Sequence, residues 1–174
     1  MALTQKISGH NFKAFLWHAT FLAFAKNFMD VDTIIPAMLV EAGGGAMHIG
    51  IMTAIMLGGS SFTQLFFAPY LSNKPHKKNF LLLGINTRIF ALAGLGVLLF
   101  LLKSEKTGFV LWLAFLFITL FSLAGAFANI SYTDILGKSV NPDKRKTFFS
   151  SLQIISGVIV LASAFIVKKI LVWK

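Results

Sequence analysis

The sequence predicts an all-α fold, a polytopic transmembrane helical bundle of about five spans forming a single transmembrane domain over residues 1–174, and three observations point to it. Hydrophobic residues make up 56% of the chain and charged residues only 13%, whereas water-soluble domains are about 45–50% apolar. The mean hydropathy is +0.78. The apolar residues fall into runs separated by short lysine-rich segments, and the runs have the length of about 20 residues that a helix needs to cross roughly 30 Å of hydrocarbon.

The first span is expected over residues 12–40. It is interrupted by Lys26, Asp30 and Asp32 and closes in Ile34-Ile35-Pro36-Ala37-Met38-Leu39. Ala23-Phe24-Ala25 has the small-x-small form of a signal-peptide cleavage site, but apolar character resumes after Lys26 and runs on to Val40, which favours an uncleaved span. Gly43-Gly44-Gly45 then makes a turn. A second span is expected over 48–71, with Ala54, Gly58 and Ser61 placing small residues on one face where another helix can approach.

Ser72 to Asn79 is the sharpest loop signal, because Pro75 breaks the helix and the lysines stay hydrated. The third span is expected over 80–102, a short connection at Lys103 to Thr107, and the fourth span over 108–132. On the fourth, Ser122, Gly125, Ala126 and Asn129 share a helical face suited to close packing or a polar cavity. Thr133 to Thr147 is the longest polar stretch, with a turn expected at Asn141-Pro142-Asp143. A fifth span follows over 148–172.

Loop cations give the orientation. Lys6, Lys13, Lys74, Lys77, Lys78, Lys138, Lys144, Arg145 and Lys146 lie on one side, against Lys103, Lys106, Lys168, Lys169 and Lys174 on the other. The positive-inside rule puts the amino terminus in the cytoplasm of a multi-pass cell-membrane protein, with the lipid bilayer as its first partner. The net charge of +10 does not imply nucleic acid, because the cations sit in short clusters without interleaved stacking aromatics.

The polar residues inside the spans are the candidate substrate or proton pathway: Lys26, Asp30, Asp32, Gln64, Arg88 and Asn129. An unpaired charge at mid-span costs about 2.5–3.5 kcal/mol. On a continuous helix Lys26 and Asp30, four apart, would share a face and neutralise each other, either as a structural pair or as a functional site. Asp32 would project elsewhere and need another partner. Arg88 can serve as that partner, or can snorkel to the headgroups. Gln64, Asn129 and Gln153 suit helix-to-helix hydrogen bonds or ligand contact.

No catalytic role is expected, since the sequence has no nucleophile elbow, no phosphate-binding glycine loop and no carboxylate pair framed by a histidine. Asp134 and Asp143 sit among cations that suggest ordinary salt pairing. The chain has no cysteine, so disulfides, thiolate metal sites and thiol nucleophiles are excluded. No histidine pair has metal-ligand spacing, and neither metal nor cofactor is expected.

Pro69-Tyr70-Leu71-Ser72-Asn73-Lys74-Pro75-His76-Lys77-Lys78 resembles the loop between the second and third helices of the major facilitator superfamily of secondary transporters, Gly-x-x-x-Asp-Arg-x-Gly-Arg-Arg/Lys. Lys74, Lys77 and Lys78 match the basic positions. Asn73 stands in place of the acidic residue, and Pro69 and His76 in place of the glycines. The layout is similar too, with a first span closing in Pro-x-x-Leu, a glycine-rich outer loop, a very short outer turn, and a basic loop from Asp134 through Pro142 to Arg145.

The resemblance implies movement of a small solute by alternating access, with a cytoplasmic gate loop at Asn73, Lys74, Lys77 and Lys78. Asp30 or Asp32 would be the proton acceptor of a proton-coupled cycle. Such folds pair two six-helix halves, each built from two three-helix repeats. This sequence supplies the first repeat and two helices of the second, so a partial transporter is expected, completed by a carboxyl-terminal half or a second copy. The fifth span has Gly157 but no proline, which gives no support for drug export. The competing expectation is a non-transporting accessory or scaffold subunit.

Overall fold

The structure, a computed structural model, describes residues 5–27, 30, 32–101 and 108–172. The described segments form six helices: α1 Gln5–Asn27, α2 Ile34–Glu41, α3 Ala46–Ser72, α4 Lys78–Leu101, α5 Gly108–Ser139 and α6 Pro142–Val172. The connection expected at Lys103 to Thr107 lies outside the described residues. Four of the helices (α3, α4, α5 and α6) are long and apolar enough to cross a membrane. The protein is an α-helical membrane protein with four such spans among the described residues.

The expected count of about five spans is corrected at its first member. In place of one helix over 12–40, α1 is described over Gln5–Asn27, Asp30 lies outside any helix, and the eight-residue α2 begins at Ile34. Asp32 and Thr33 form a turn between them. Short polar side chains compete with the backbone for hydrogen bonds and favour such breaks. Lys6, Lys13 and Lys26 further dilute the apolar character of α1.

The chain divides into two compact units, residues 1–30 with 136–174, and residues 31–135. In the first, α1 runs parallel to α6. The Ser8 hydroxyl accepts the Asn141 N–H at 3.0 Å, Phe12 meets the fully buried Phe148 edge-to-face at 5.7 Å, and Asn27 donates to the Ser163 hydroxyl. The Ser163 hydroxyl in turn donates a hydrogen bond to Ile159 O at 2.8 Å.

The polar stretch expected as a loop over 133–147 is mostly helical, because α5 continues to Ser139 and α6 starts at Pro142. Proline is well suited to the first helical position, where its missing N–H costs nothing and its φ is already helical. Asp143 in the same first turn favours the positive end of the helix dipole. Arg145 turns back to donate to Val140 O at 3.1 Å and to Gly137 O, and the Asn11 amide donates to Ser139 O at 3.1 Å. These bonds satisfy carbonyls that a helix end leaves without partners.

In the second unit α2 turns into α3 through the three glycines. Gly43 has φ of +92°, a left-handed conformation that glycine adopts without strain. The Gly44 N–H bonds Leu39 O at 2.7 Å, closing the end of α2. His48 Nδ1 accepts the Gly45 N–H at 3.1 Å and caps the start of α3.

Residues 54–58 of α3 form a π-helical turn, which loosens the regular ladder and leaves carbonyls short of partners. Ser122 of α5 shares its proton between Ile55 O at 2.9 Å and Met56 O at 3.3 Å. The close approach is made at Gly59, where an added Cβ would come within 3.0 Å of Ser122 Oγ. At Gly58, expected on the small-residue face, a Cβ would meet nothing within 4 Å. One extra residue per turn rotates the downstream face by about 100°, which moves the contact from Gly58 to Gly59. Ser122→Ala is expected to lower stability by about 1 kcal/mol, since a membrane hydrogen bond is worth about 0.6 kcal/mol and bare carbonyls remain. Thermal unfolding in detergent against a Thr119→Ser control checks this, because the Thr119 hydroxyl bonds only within its own helix.

α4 and α5 pack antiparallel. Gly84 lies against Ala124 and Ala128, and Gly94 against Phe117. Ala91, Leu95 and Leu98 of α4 are buried, with Ala114, Ile118 and Phe121 of α5.

Candidate functional site

The three lysines of the expected gate loop have different environments. Lys78 opens α4 and is exposed, while Lys74 places its ammonium 4.7 Å from the centre of the Tyr70 ring, a cation–π contact. Lys77 is buried, with 5% of its side chain exposed, and its Nζ lies 3.2 Å from Oδ1 of Asp134, which is 28% exposed. Asn73 is exposed and ends α3.

The position of Asp134 follows from the length of α5. Its 32 residues reach roughly 48 Å, longer than about 30 Å of hydrocarbon requires, and its polar last turns carry Asp134 and Lys138. Leu136 is buried there, and Asp134, half a turn before it, reaches the loop between α3 and α4. A buried ammonium needs such a partner, since an isolated charge out of water is expensive. The pair ties that loop to α5 electrostatically.

Inside the spans, Arg88 stands on the α4–α5 seam. Its guanidinium carbon lies 4.3 Å from the centre of the Phe121 ring, and Nε is buried without a hydrogen-bond partner. A Cβ on Gly125 would touch Nε and Cζ, each at 3.4 Å, so the guanidinium packs directly beside this residue of α5.

Lys26 is exposed in the last turn of α1 and Asp30 is half-buried outside that helix. Asp32 is exposed in the turn before α2. Gln64 lines an open groove of about 580 Å³ on α3 with Ser61, Leu65, Ala68, Pro69 and Ser72. Pro69 interrupts the helix interior there and removes one backbone hydrogen bond. Asn129 is exposed on α5. Among the described residues no hydrogen bond or ion pair joins Gln64, Arg88 and Asn129 to one another.

Three structural partners were not legible in the sequence. Phe121 under Arg88 is one of many aromatic residues, and nothing local distinguishes it. Asn27 and Ser163 pair across 136 residues, and the only signal was a small polar residue within an apolar helix. Compared with known proteins, the chain matches no family model, no curated protein and no solved structure, so the chemistry of these residues carries the functional reading.

Proposed function

We propose that the chain belongs to a facilitator-type secondary transporter of the cell membrane and works as part of a larger assembly that moves a small solute by alternating access. The observation that supports this reading most is the Lys77–Asp134 pair. Alternating access needs an element with two discrete arrangements at one membrane face. A mostly desolvated ion pair between a loop and a neighbouring helix end can supply one, because it is closed when paired and hydrated when parted.

In this reading the basic end is cytoplasmic. Ser8 and Asn11 bond to Asn141 and Ser139, so the start of α1 lies beside the lysine-rich α5–α6 corner, and the positive-inside rule supports a cytoplasmic amino terminus. Asp30 is the proposed proton acceptor. A second copy of the chain would supply the completing helices and cover the polar groups that the spans expose.

A second reading, an accessory subunit that does not transport, is favoured by Gln64, Asn129 and Gln153, which are exposed on spanning helices where a partner helix could hydrogen-bond them. The test is the chain reconstituted in vesicles carrying an internal pH dye and challenged with a panel of amino acids, sugars and carboxylates. The transport reading expects solute-dependent proton flux that falls at least tenfold in Asp30→Asn. No flux from the unmutated chain, together with a stoichiometric membrane partner recovered from native membranes, would establish the accessory reading instead.

A further inference from the structure

We infer that Arg88 is an anion-binding residue, which holds the carboxylate or phosphate group of a small solute in the plane of its guanidinium. The inference rests on the transport reading and gives the chemical class of its cargo.

The first step is depth. Arg88 is ten residues beyond Lys78 at the start of α4, about 15 Å along a helix, or half of a hydrocarbon layer of about 30 Å. An arginine can escape such a position by extending its head toward the interface. Here the register of the seam argues otherwise. Gly84 faces Ala124 and Ala128 while Gly94 faces Phe117, so in this antiparallel pair residues 121–125 stand level with Arg88. The guanidinium rests over Phe121 and beside Gly125, and so stays at its own depth.

The second step is charge. Among the described residues no carboxylate, carbonyl or hydroxyl makes an ion pair or hydrogen bond with the guanidinium, and Nε is fully buried without a partner. Asp134, the acid at the end of the facing helix, is engaged with Lys77. Arginine stays protonated at any working pH, so neutralisation by proton loss is closed to it. An intramembrane cation in this state marks a ligand or ion pathway by default.

The third step is shape. A ring beneath the guanidinium stabilises the cation through its face and leaves the N–H edge free. That edge presents parallel donors matched to the two oxygens of a carboxylate or phosphate. Lysine would supply the charge without the fork. Gly125 lies along the Nε and Cζ side of the guanidinium, where an added Cβ would make ordinary van der Waals contact at 3.4 Å.

The experiment uses the full chain in uncharged maltoside micelles. The unfolding midpoint is titrated with inorganic phosphate, succinate and benzoate against sodium chloride of equal ionic strength. A ligand that binds only the folded state raises the midpoint in a saturable way. At least one oxyanion is expected to do so. Arg88→Gln should abolish the shift, while itself unfolding no earlier than the unmutated chain because an uncompensated charge has gone. Arg88→Lys should weaken apparent affinity at least tenfold.

Absence of any saturable shift, or a shift unchanged in Arg88→Gln, would overturn the inference. An Arg88-dependent shift seen only in micelles doped with phosphatidylglycerol would overturn the solute assignment in favour of a lipid phosphate. Oxyanion binding in a chain that fails the vesicle flux assay would keep the anion site and remove the transport reading. Solute flux indifferent to Arg88→Gln would do the reverse.

Discussion

Asp134→Asn is expected to lower the unfolding free energy by about 3 kcal/mol, at the low end of what breaking a buried pair costs. The reason is the asymmetry of the two sites. Lys77 is 5% exposed and Asp134 28% exposed, so removing the carboxylate strands an ammonium with almost no access to water. Removing the ammonium leaves a carboxylate that can turn to solvent. Lys77→Met, which keeps the stem and fills the same space, should therefore cost only about 1 kcal/mol.

The double variant Lys77→Met/Asp134→Asn should recover most of the loss, because neither charge remains to be desolvated. Thermal unfolding of the four proteins in one detergent gives the coupling energy by a double-mutant cycle. Equal costs for the two single variants would mean that the pair is a hydrated surface contact, and the proposed gate would lose its physical basis. The chain contains no cysteine, so Leu71→Cys, at a fully buried position near the same end of α3, provides a second readout. Maleimide labelling of that cysteine should accelerate in the Asp134→Asn background if parting the pair opens this end.

The pair also shows what the sequence could disclose. That Asp134 would meet a cation was legible from its basic surroundings, and the apolar runs marked α3, α4, α5 and α6 because lipid requires them. Three features were not legible, each for a physical reason. The run from Phe12 to Val40 has enough apolar residues for a span, yet three charges and an asparagine lie near its middle and the helix is interrupted before Ile34, and a count of hydrophobic residues does not weigh backbone competition.

Residues 133–139 are polar enough to pass for a loop. Their helicity depends on burying Leu136 and bonding Arg145 back to Gly137 and Val140, contacts made by tertiary structure. The π turn of α3 has no signature in its own residues, since its carbonyls are satisfied by Ser122, more than 60 positions away. It is this turn that makes Gly59, and not Gly58, the point of contact.

Gly84→Ala is expected to cost about 2 kcal/mol, and Gly84→Val to prevent folding. An added Cβ at Gly84 would lie 2.8 Å from Cβ of Ala128, 2.9 Å from O of Ala124 and 3.0 Å from N of Ala128. All three are backbone atoms or a methyl fixed to it, so the contact is relieved only by moving α4 away from α5. Lipid gives no hydrophobic drive to bring the helices back, and the lost dispersion contacts are what hold them together. Overpacking of this kind costs about 1–3 kcal/mol, and the gain in helix propensity on leaving glycine, about 1 kcal/mol, offsets part of it.

Two other glycines of the same helix separate this cause from a general intolerance of alanine. Gly94 faces the ring of Phe117, the movable end of a half-buried side chain, so Gly94→Ala should cost less than about 1 kcal/mol. At Gly96 a Cβ meets nothing within 4 Å, and Gly96→Ala should leave stability unchanged or raise it by about 1 kcal/mol. The expected order of unfolding midpoints is Gly96→Ala at or above the unmutated chain, then Gly94→Ala, then Gly84→Ala. The same register sets Arg88 level with Phe121, so alanine effects that did not follow this order would also remove the argument that Arg88 stays at mid-depth. If the order holds, the seam that keeps the guanidinium from the headgroups is fixed by the steric needs of a single glycine one helical turn away.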